Sequence, residues 1–294
     1  MLLKKNKKIN NNIKNLLSEA TLLLKNKNIL AADLEVELLM AHVLKKSRVF
    51  VISNPEYKLQ EKKIQEFKRL VKKRFFGWSV AVLLGHKEFY SLDFKVNTDV
   101  LVPRPETEIL VDLVLKYQKN KTESLIMDIG TGSGAIITAI YKNSETKHNF
   151  FYASDKSLKA LQVAKSNAKK HLAKIKFLHG DLLRPYLPII KKIEPERLII
   201  TANLPYLTPN QMLEASIKKE PRSALLSGSD GLWHYKRLFK QLLKVKGLKF
   251  FLICEINPEQ SQPILKLAEA SFKETNIYFE TDYSQRNRFL VIES

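Results

Sequence analysis

The chain has 294 residues, of which 45% are hydrophobic, and a formal net charge of +20. This length allows two domains or one large one, and the apolar content is enough for a sizeable core. A membrane helix, a metal centre and an internal disulfide are not expected, because no apolar run approaches roughly 18–20 residues, the histidines are scattered, and Cys254 is the single cysteine.

The N-terminal quarter of the chain is strongly basic: residues 1–80 hold 18 Lys and Arg against 7 Asp and Glu. Such an excess favours acidic partners, either nucleic acid or an acidic protein. Compositional drift toward AAA-type codons would produce the same excess beside many Asn and Ile residues, so charge alone leaves the partner open. The segment lacks the long apolar stretch and the cleavage site of a signal peptide, and a cytoplasmic location is expected.

Residues 1–78 are predicted to form a small helical domain. Helical periodicity covers residues 13–25, 31–46 and 59–75, and in the last of these the apolar side chains fall on one face with lysines on the other. Asn54-Pro55 is a turn signal that separates the third helix from the second.

Residues 79–103 have a different character, which predicts a β-hairpin linker. β-Branched and aromatic residues occur there in short runs, interrupted by Gly85 and by residues 97–99. Pro103 and Pro105 then stiffen an extended segment, and Glu106 is expected to begin the next helix.

In residues 104–294, predicted strands alternate with predicted helices. The predicted strands are residues 124–128, 150–154, 175–179, 197–202, 249–256, 276–282 and 288–293. The predicted helices are residues 106–118, a segment starting near Gly134, and residues 157–172, 231–246 and 259–271. This alternation predicts an α/β fold, a mostly parallel Rossmann-like sheet with helices on both faces. The short link between the last two strands requires an antiparallel strand there.

Acidic residues follow three successive predicted strands. The first strand runs into a glycine-rich turn at residues 128–134, the second ends at Asp155, and the third ends at His179-Gly180-Asp181. Ligands of open α/β sheets bind at the carboxyl ends of the strands, where glycines let the backbone approach closely. Asp155 can accept hydrogen bonds from a ribose diol, and Asp181 can accept one from an adenine amino group. A single such Asp is also explained as a helix cap or turn residue, but three in register favour a nucleoside site.

The glycine-rich turn favours a cofactor without phosphate. Its residues are Asp128, Ile129, Gly130, Thr131, Gly132, Ser133 and Gly134. The G-x-G-x-G spacing differs from the G-x-G-x-x-G of nicotinamide enzymes, and the leading carboxylate would repel a pyrophosphate. The turn resembles the methionine-binding loop of class I S-adenosylmethionine methyltransferases, and this resemblance implies S-adenosylmethionine as the cofactor.

The tetrapeptide Asn203-Leu204-Pro205-Tyr206 follows the fourth predicted strand of this sheet and is predicted to hold the substrate. A planar amide or amino nitrogen is a poor nucleophile because its lone pair is delocalised. An Asn oxygen and a nearby backbone carbonyl can accept its two N–H bonds and raise the electron density on nitrogen. Pro205 fixes the backbone and Tyr206 offers a ring face, whereas a plain turn would explain only Asn203 and Pro205.

The tetrapeptide alone leaves the substrate open. It resembles the N-P-P-Y of methyltransferases that act on planar nitrogens, with Leu204 in place of a proline. N-L-P-Y is common in the enzymes that dimethylate ribosomal-RNA adenine. Glutamine, adenine and cytosine are therefore all compatible with it.

Other segments of the chain resemble the release-factor glutamine methyltransferases. They are the stretch 74–112 with its P-R-P-E-T-E, the glycine-rich turn 128–134, the segment 220–225, and Asp282-Tyr283 with Arg288. The resemblance covers roughly residues 30–294. It implies that the chain methylates the side-chain nitrogen of the glutamine in the Gly-Gly-Gln tip of peptide chain release factors. The rRNA dimethylases have a different glycine loop and an extra C-terminal domain.

This resemblance also implies a role for each matching residue. The cofactor set is Asp128, Gly130, Thr131, Gly132, Ser133 and Gly134 for the methionine half, Asp155 for the ribose, Asp181 and Leu182 for the adenine, and Asn203 beside the methyl group. Asn203, Leu204, Pro205 and Tyr206 hold the glutamine amide, with Asn203, Pro205 and Tyr206 as the catalytic residues. Arg104 and Glu106 brace the site or the release-factor loop, or form a plain ion pair.

The resemblance further implies a protein partner. Release factors are generally acidic, which suits the basic N-terminal domain as the part that grips them. A monomer is expected, with no membrane partner and no nucleic acid required. The alternative is an rRNA or DNA amino-methyltransferase, which would use the same Asn203 and Tyr206. Its expected mark, an aromatic-rich basic groove for a flipped base, is not found outside the N-terminal domain.

Overall fold

The computed structural model describes residues 11–118, 123–145, 149–193, 195–211, 219–245 and 247–294. Within these ranges the chain forms two compact units, a smaller one up to Gly85 and a larger one of residues 86–211 and 220–294. No helix in the described ranges is both long and apolar enough to cross a bilayer.

The smaller unit is helical. Its described helices are α1 (Ile13–Lys25), α2 (Ala32–Leu44), α3 (Arg48–Ser53), α4 (Glu61–Phe75) and α5 (Val80–Leu84). Asn12 and Ser47 begin α1 and α3, because their side-chain oxygens accept hydrogen bonds from backbone N–H groups, each at 3.1 Å. The apolar faces of the helices enclose one core. The three predicted helices are confirmed to within two residues at each end; α3 was not predicted, because six residues are too few to show helical periodicity.

The predicted hairpin over residues 79–103 is correct only in part. Its strands are β1 (His86–Phe89) and β2 (Leu92–Lys95), whereas the apolar run before them forms α5. The helix forms because the Ser79 side chain accepts a hydrogen bond from the Val82 N–H at 3.3 Å. Gly85, with φ of 82°, then ends the helix. A run that is rich in β-branched residues therefore becomes helical under local capping and core packing.

The burial of Phe67 in α4 leads to a prediction about stability. Phe67 is 1% exposed in the core of the smaller unit, whereas Phe76, one residue beyond the same helix, is 55% exposed. Phe67→Ala is expected to lower the free energy of unfolding by about 3–4 kcal/mol, because it removes a buried ring and leaves a cavity. Phe76→Ala is the matched control and should change it by less than about 1 kcal/mol. Urea unfolding followed by circular dichroism measures both, and equal losses would contradict the assigned core.

The larger unit is built on a seven-stranded sheet. Its strands are β3 (Leu125–Ile129), β4 (Phe150–Asp155), β5 (Lys176–His179), β6 (Arg197–Ala202), β7 (Lys249–Glu255), β8 (Asn276–Thr281) and β9 (Asn287–Glu293). The spatial order is β5-β4-β3-β6-β7-β9-β8; the pairs from β5 to β7 are parallel, and β9 is antiparallel to both of its neighbours. The predicted mostly parallel sheet with an antiparallel last strand is confirmed.

Two apolar cores lie on the two faces of this sheet. The helices of the unit are α6 (Glu108–Gln118), α7 (Ala135–Asn143), α8 (Leu158–Lys170), α9 (Leu187–Ile193), α10 (Trp233–Leu242) and α11 (Ser261–Ser271). Side chains of β3 alternate between the cores, with Met127 in one and Ile126 in the other. Such strands, buried on both faces, are typical of parallel sheets. Cys254 of β7 is fully buried, as predicted, and burial raises the pKa of its thiol.

Candidate active site

A cavity lies at the carboxyl ends of the parallel strands, where the strand order reverses between β3 and β6. Among the residues predicted from the sequence, it is lined by Arg104, Gly130, Thr131, Gly132, Ser133, Asp155, Asp181, Leu182, Asn203, Leu204 and Pro205. The predicted cofactor and substrate residues are thus brought together in one cavity. Four predicted residues, Asp128, Gly134, Glu106 and Tyr206, lie outside this lining.

The glycine-rich turn forms one wall of the cavity. Gly130 and Gly132 have φ angles of 73° and 53°, in the left-handed region that favours glycine. The N–H of Gly130 donates to the carbonyl of Ser154 at 2.9 Å, and the N–H of Gly132 donates to Oδ2 of Asp155 at 3.0 Å. A Cβ atom at Gly130 would lie 2.9 Å from Cδ2 of Leu204, so the turn and the Asn203–Tyr206 segment are in contact.

Asp128 supports the turn from beneath. Its side chain is fully buried, and its two oxygens accept hydrogen bonds from the hydroxyls of Thr131 at 2.6 Å and Thr201 at 2.8 Å. Burial raises the pKa of this carboxyl to about 6, against the opposing effect of both hydroxyls. Asp128 lies outside the cavity lining and binds the protein's own threonines, so the direct cofactor contact predicted for it from the sequence stays a prediction.

Asp155 and Asp181 occupy neighbouring positions at the ends of β4 and β5. The second oxygen of Asp155 accepts the Ser157 N–H at 2.8 Å, and burial raises the pKa of this carboxyl. Each Asp155 oxygen keeps a lone pair for a ligand hydroxyl. Asp181 forms an ion pair with Arg237, whose guanidinium lies 4.2 Å from the centre of the Trp233 ring. One oxygen of Asp181 is therefore already engaged before any adenine contact.

Leu182 and His234 line the cavity near Asp181. Leu182 is buried and has a φ of 52°, an unusual backbone conformation for a leucine. The next residue is anchored from α10, where Oε1 of Gln241 accepts the Leu183 N–H at 2.8 Å. His234 lies 2.8 Å from the Ser227 hydroxyl through Nδ1. Burial lowers the pKa of His234 to about 4, so the ring is neutral at pH 7.

Asn203 is held by two side chains from other elements. Its Nδ2 donates to Oε2 of Glu255 at 2.9 Å and to Oγ1 of Thr107 at 3.3 Å. The Thr107 hydroxyl also donates to Oε2 of Glu255, at 2.6 Å. Because the amide nitrogen is engaged in this way, the amide oxygen of Asn203 is the atom left for a ligand.

The rest of the Asn203–Tyr206 segment is anchored to the core. Leu204 is 3% exposed and packs beside Gly130 and the core of one sheet face. The carbonyl of Tyr206 accepts a hydrogen bond from Nε2 of Gln260 at 2.8 Å. Burial raises the pKa of Tyr206 to about 12, so this phenol is neutral at pH 7. Its ring packs against the core, beside the cavity lining, so a ring face toward the substrate stays a prediction.

Arg104 forms an ion pair with Glu220, not with Glu106, so the bracing role expected for Arg104 and Glu106 stays a prediction. Nη2 of Arg104 lies 2.7 Å from Oε1 of Glu220, a residue that is 5% exposed. The other Glu220 oxygen accepts the Val102 N–H at 3.2 Å. The P-R-P-E-T-E stretch is therefore tied to the segment 220–225. Glu106 is half-buried in the short 3₁₀ turn Pro105–Thr107, near Glu255 and Tyr206.

Comparison with known proteins identifies the family. Residues 15–85 match the PrmC N-terminal domain, and residues 106–189 match the methyltransferase small domain. A release factor glutamine methyltransferase of Coxiella burnetii is 38% identical over 81% of this chain and 83% of its own length. The chain belongs to the release factor glutamine methyltransferase family. A second relative with that name, from Bacillus subtilis, is 35% identical over 86% of this chain and 88% of its own.

A solved structure supports the fold of this family member independently. The catalytic domain of hMettl16, in complex with the MAT2A 3′UTR hairpin 6, matches with a TM-score of 0.53 at 16% identity, over 76% of this chain and 81% of that one. At this identity the likeness concerns the fold alone. The predicted family, the class I methyltransferase fold and S-adenosylmethionine as methyl donor are confirmed together.

Among the polar residues at the site of this methyltransferase that sequence reasoning missed are Glu255, Thr107 and His234. Glu255 is an acidic residue at the end of a strand, β7, which is the pattern that predicted Asp155 and Asp181. The sequence could therefore have indicated it. Thr107 lies inside the P-R-P-E-T-E stretch without a signal of its own. His234 follows a loop and was assigned only to a helix; nothing in its sequence neighbourhood indicates the cavity.

Proposed function

We propose that this protein transfers the methyl group of S-adenosylmethionine to the side-chain amide nitrogen of the glutamine in the Gly-Gly-Gln motif of peptide chain release factors. The observation that carries this proposal is the Asn203 amide. Its nitrogen is tied to Glu255 and Thr107, which leaves its oxygen to accept an N–H from a primary amide. Membership of the release factor glutamine methyltransferase family makes glutamine the amide in question.

The cavity fits the proposed cofactor. The glycine turn has no side chain at Gly130 and Gly132, where the backbone bends toward the ligand, and Asp155 offers carboxylate oxygens to a ribose diol. Leu182 offers an apolar surface for the adenine base, and Asp181 keeps one oxygen beside it. When bound, S-adenosylmethionine supplies an electrophilic methyl group.

The chain's own residues act by orientation. Asn203 Oδ1 accepts one N–H of the substrate amide, and the backbone beside Pro205 accepts the other, so the nitrogen lone pair is directed at the methyl carbon. The new N–C bond forms as the S–C bond breaks, and the sulfur keeps the bonding pair. The nitrogen then loses one proton to solvent. No strong base is needed, because alkylation makes the remaining N–H more acidic before its proton leaves.

The basic N-terminal unit is proposed to bind the release factor away from its Gly-Gly-Gln tip. Residues 1–80 carry an excess of 11 positive charges, from 18 Lys and Arg against 7 Asp and Glu, and this suits an acidic protein surface. The proposal also includes that the protein acts as a monomer and needs no nucleic acid. It places the reaction in the cytoplasm, where translation ends.

Transfer of tritiated methyl groups tests the substrate assignment. Purified release factor and deproteinised ribosomal RNA are incubated side by side with the enzyme and labelled S-adenosylmethionine. Label is expected in the release factor, and it should be lost when the Gly-Gly-Gln glutamine is replaced by alanine. Label in RNA alone would overturn the proposal and favour an rRNA methyltransferase.

A further inference from the structure

A buried carboxylate lies directly behind the proposed substrate-binding asparagine. Glu255 is 2% exposed and Thr107 is 3% exposed. Oε2 of Glu255 accepts the Thr107 hydroxyl at 2.6 Å and Nδ2 of Asn203 at 2.9 Å. The three residues come from the ends of β7 and β6 and from the turn before α6, so the cluster exists only in the folded larger unit.

This arrangement decides which end of the Asn203 amide faces the cavity. An ionised carboxylate has acceptor oxygens and no donor, so it can pair only with the amide nitrogen. Turning the amide over would place its oxygen about where Nδ2 now lies, 2.9 Å from Oε2, with two negative oxygens facing each other. The negative charge also polarises the amide and makes Oδ1 a stronger acceptor.

We propose that Glu255 is a positioning residue for methyl transfer: its ionised carboxylate, held by Thr107, locks Asn203 with the amide oxygen toward the substrate and polarises that oxygen. The inference rests on the proposed function, because it takes Asn203 as the residue that accepts the substrate N–H. Glu255 itself does not touch the reacting atoms.

The charge state of Glu255 then controls the reaction near neutral pH. Burial raises the pKa of the Glu255 carboxyl to about 7, and the charge of Glu106 also raises it. The Thr107 hydroxyl, Arg288 and Arg104 lower it. The hydroxyl of Tyr235 binds the backbone carbonyl of Glu255 and carries no charge. Protonated Glu255 can donate to Asn203 Oδ1, which permits the unproductive orientation of the amide.

The inference predicts a distinct pattern of pH profiles. For the wild-type enzyme, kcat with release factor should rise with pH through an inflection near 7. Glu255→Gln should lower kcat at pH 8 by about 10- to 100-fold and abolish this inflection, since the charge is gone while the shape is kept. Thr107→Val removes a hydrogen bond that lowers the pKa of Glu255, so the inflection should move to higher pH. Thr107→Ser keeps the hydroxyl and should restore the wild-type profile.

Two controls keep the test specific. Glu259→Gln changes an exposed glutamate four residues further along the chain and should leave the profile unchanged. The affinity of Glu255→Gln for S-adenosylhomocysteine, measured by calorimetry, should stay within about threefold of wild type, because Glu255 is not part of the cavity lining. If Glu255→Gln does not fold, the Thr107→Val and Thr107→Ser variants still test the positioning role through the pH profile of kcat.

The inference is overturned if Glu255→Gln keeps kcat within about twofold, if it loses cofactor affinity as much as kcat, or if Thr107→Val leaves the inflection in place. Its failure can be told apart from failure of the proposed function. If Asn203→Ala abolishes transfer to the release factor while Glu255→Gln does not, only the positioning role falls. If Asn203→Ala transfers methyl groups normally, the role of Asn203 falls as well.

Discussion

Asn203→Ala is expected to lower kcat for methyl transfer to a release factor by about 100- to 1000-fold. The substitution removes the oxygen that accepts the substrate N–H, and it leaves Glu255 buried with one donor fewer. The loss should appear mainly in kcat, because the amide oxygen acts most strongly where charge develops on the substrate nitrogen. Steady-state transfer of tritiated methyl groups, with both substrates saturating, measures it.

Asn143→Ala provides the control for this substitution. Asn143 is exposed at the end of α7, and its Nδ2 donates to the carbonyl of Ala139 at 2.9 Å. The Asn143→Ala variant should retain the wild-type kcat. A loss in Asn203→Ala that is confined to KM for the release factor would mean that Asn203 binds substrate without assisting the transfer.

Asp155→Ala is expected to weaken the binding of S-adenosylmethionine by about 100-fold. The carboxylate offers charge-assisted hydrogen bonds to a ribose diol, and it orders the glycine turn through the Gly132 N–H at 3.0 Å. At saturating cofactor, kcat should fall far less, since ribose contacts are made equally before and during the transfer. Isothermal titration calorimetry with S-adenosylhomocysteine gives the affinity without turnover.

The matched variant for this experiment is Asp33→Ala. Asp33 is a solvent-exposed aspartate of the smaller unit, paired with Lys25 at 2.7 Å. Its loss should leave cofactor affinity unchanged. Retention of wild-type affinity by Asp155→Ala would show that the ribose is held elsewhere in the cavity.

Long periodic elements of this fold were predictable from sequence, and short capped ones were not. α4 and β3 each show a clear hydrophobic pattern over their whole length, and both formed where expected. α5 formed because of two local signals, the Ser79 cap and Gly85, within a run that reads as a strand. α9 was not predicted, although Pro188 in its first turn is compatible with a helix start.

The hairpin turn shows why some local geometry cannot be deduced from sequence. Tyr90 and Ser91 both have positive φ angles, 51° and 57°, without the Asn-Gly or Gly residues that usually mark such turns. Contacts from α6 hold the turn: Glu108 accepts the Tyr90 N–H at 2.8 Å, and Asp112 accepts its hydroxyl at 2.7 Å. Tertiary contacts therefore stabilise a conformation that the local sequence disfavours.

The part of the site that lies at the carboxyl ends of the parallel strands was predictable from the sequence. Residues at the carboxyl ends of parallel strands converge, so Gly130, Asp155 and Asn203 could be placed in one cavity from sequence. The rule does not say how deep a side chain lies, so Asp128 was expected in the cavity although it is fully buried. Partners that come from distant parts of the chain, such as Thr107 behind Asn203, follow only from the packed structure.

The burial of Cys254 makes the chain a convenient background for fluorescent labelling. It is the single cysteine, it is fully buried in β7, and its raised pKa keeps the thiol protonated and unreactive. A cysteine introduced at an exposed position of either unit would therefore be the one site that a maleimide dye modifies. The binding of a release factor can then be followed in real time without first removing any native residue.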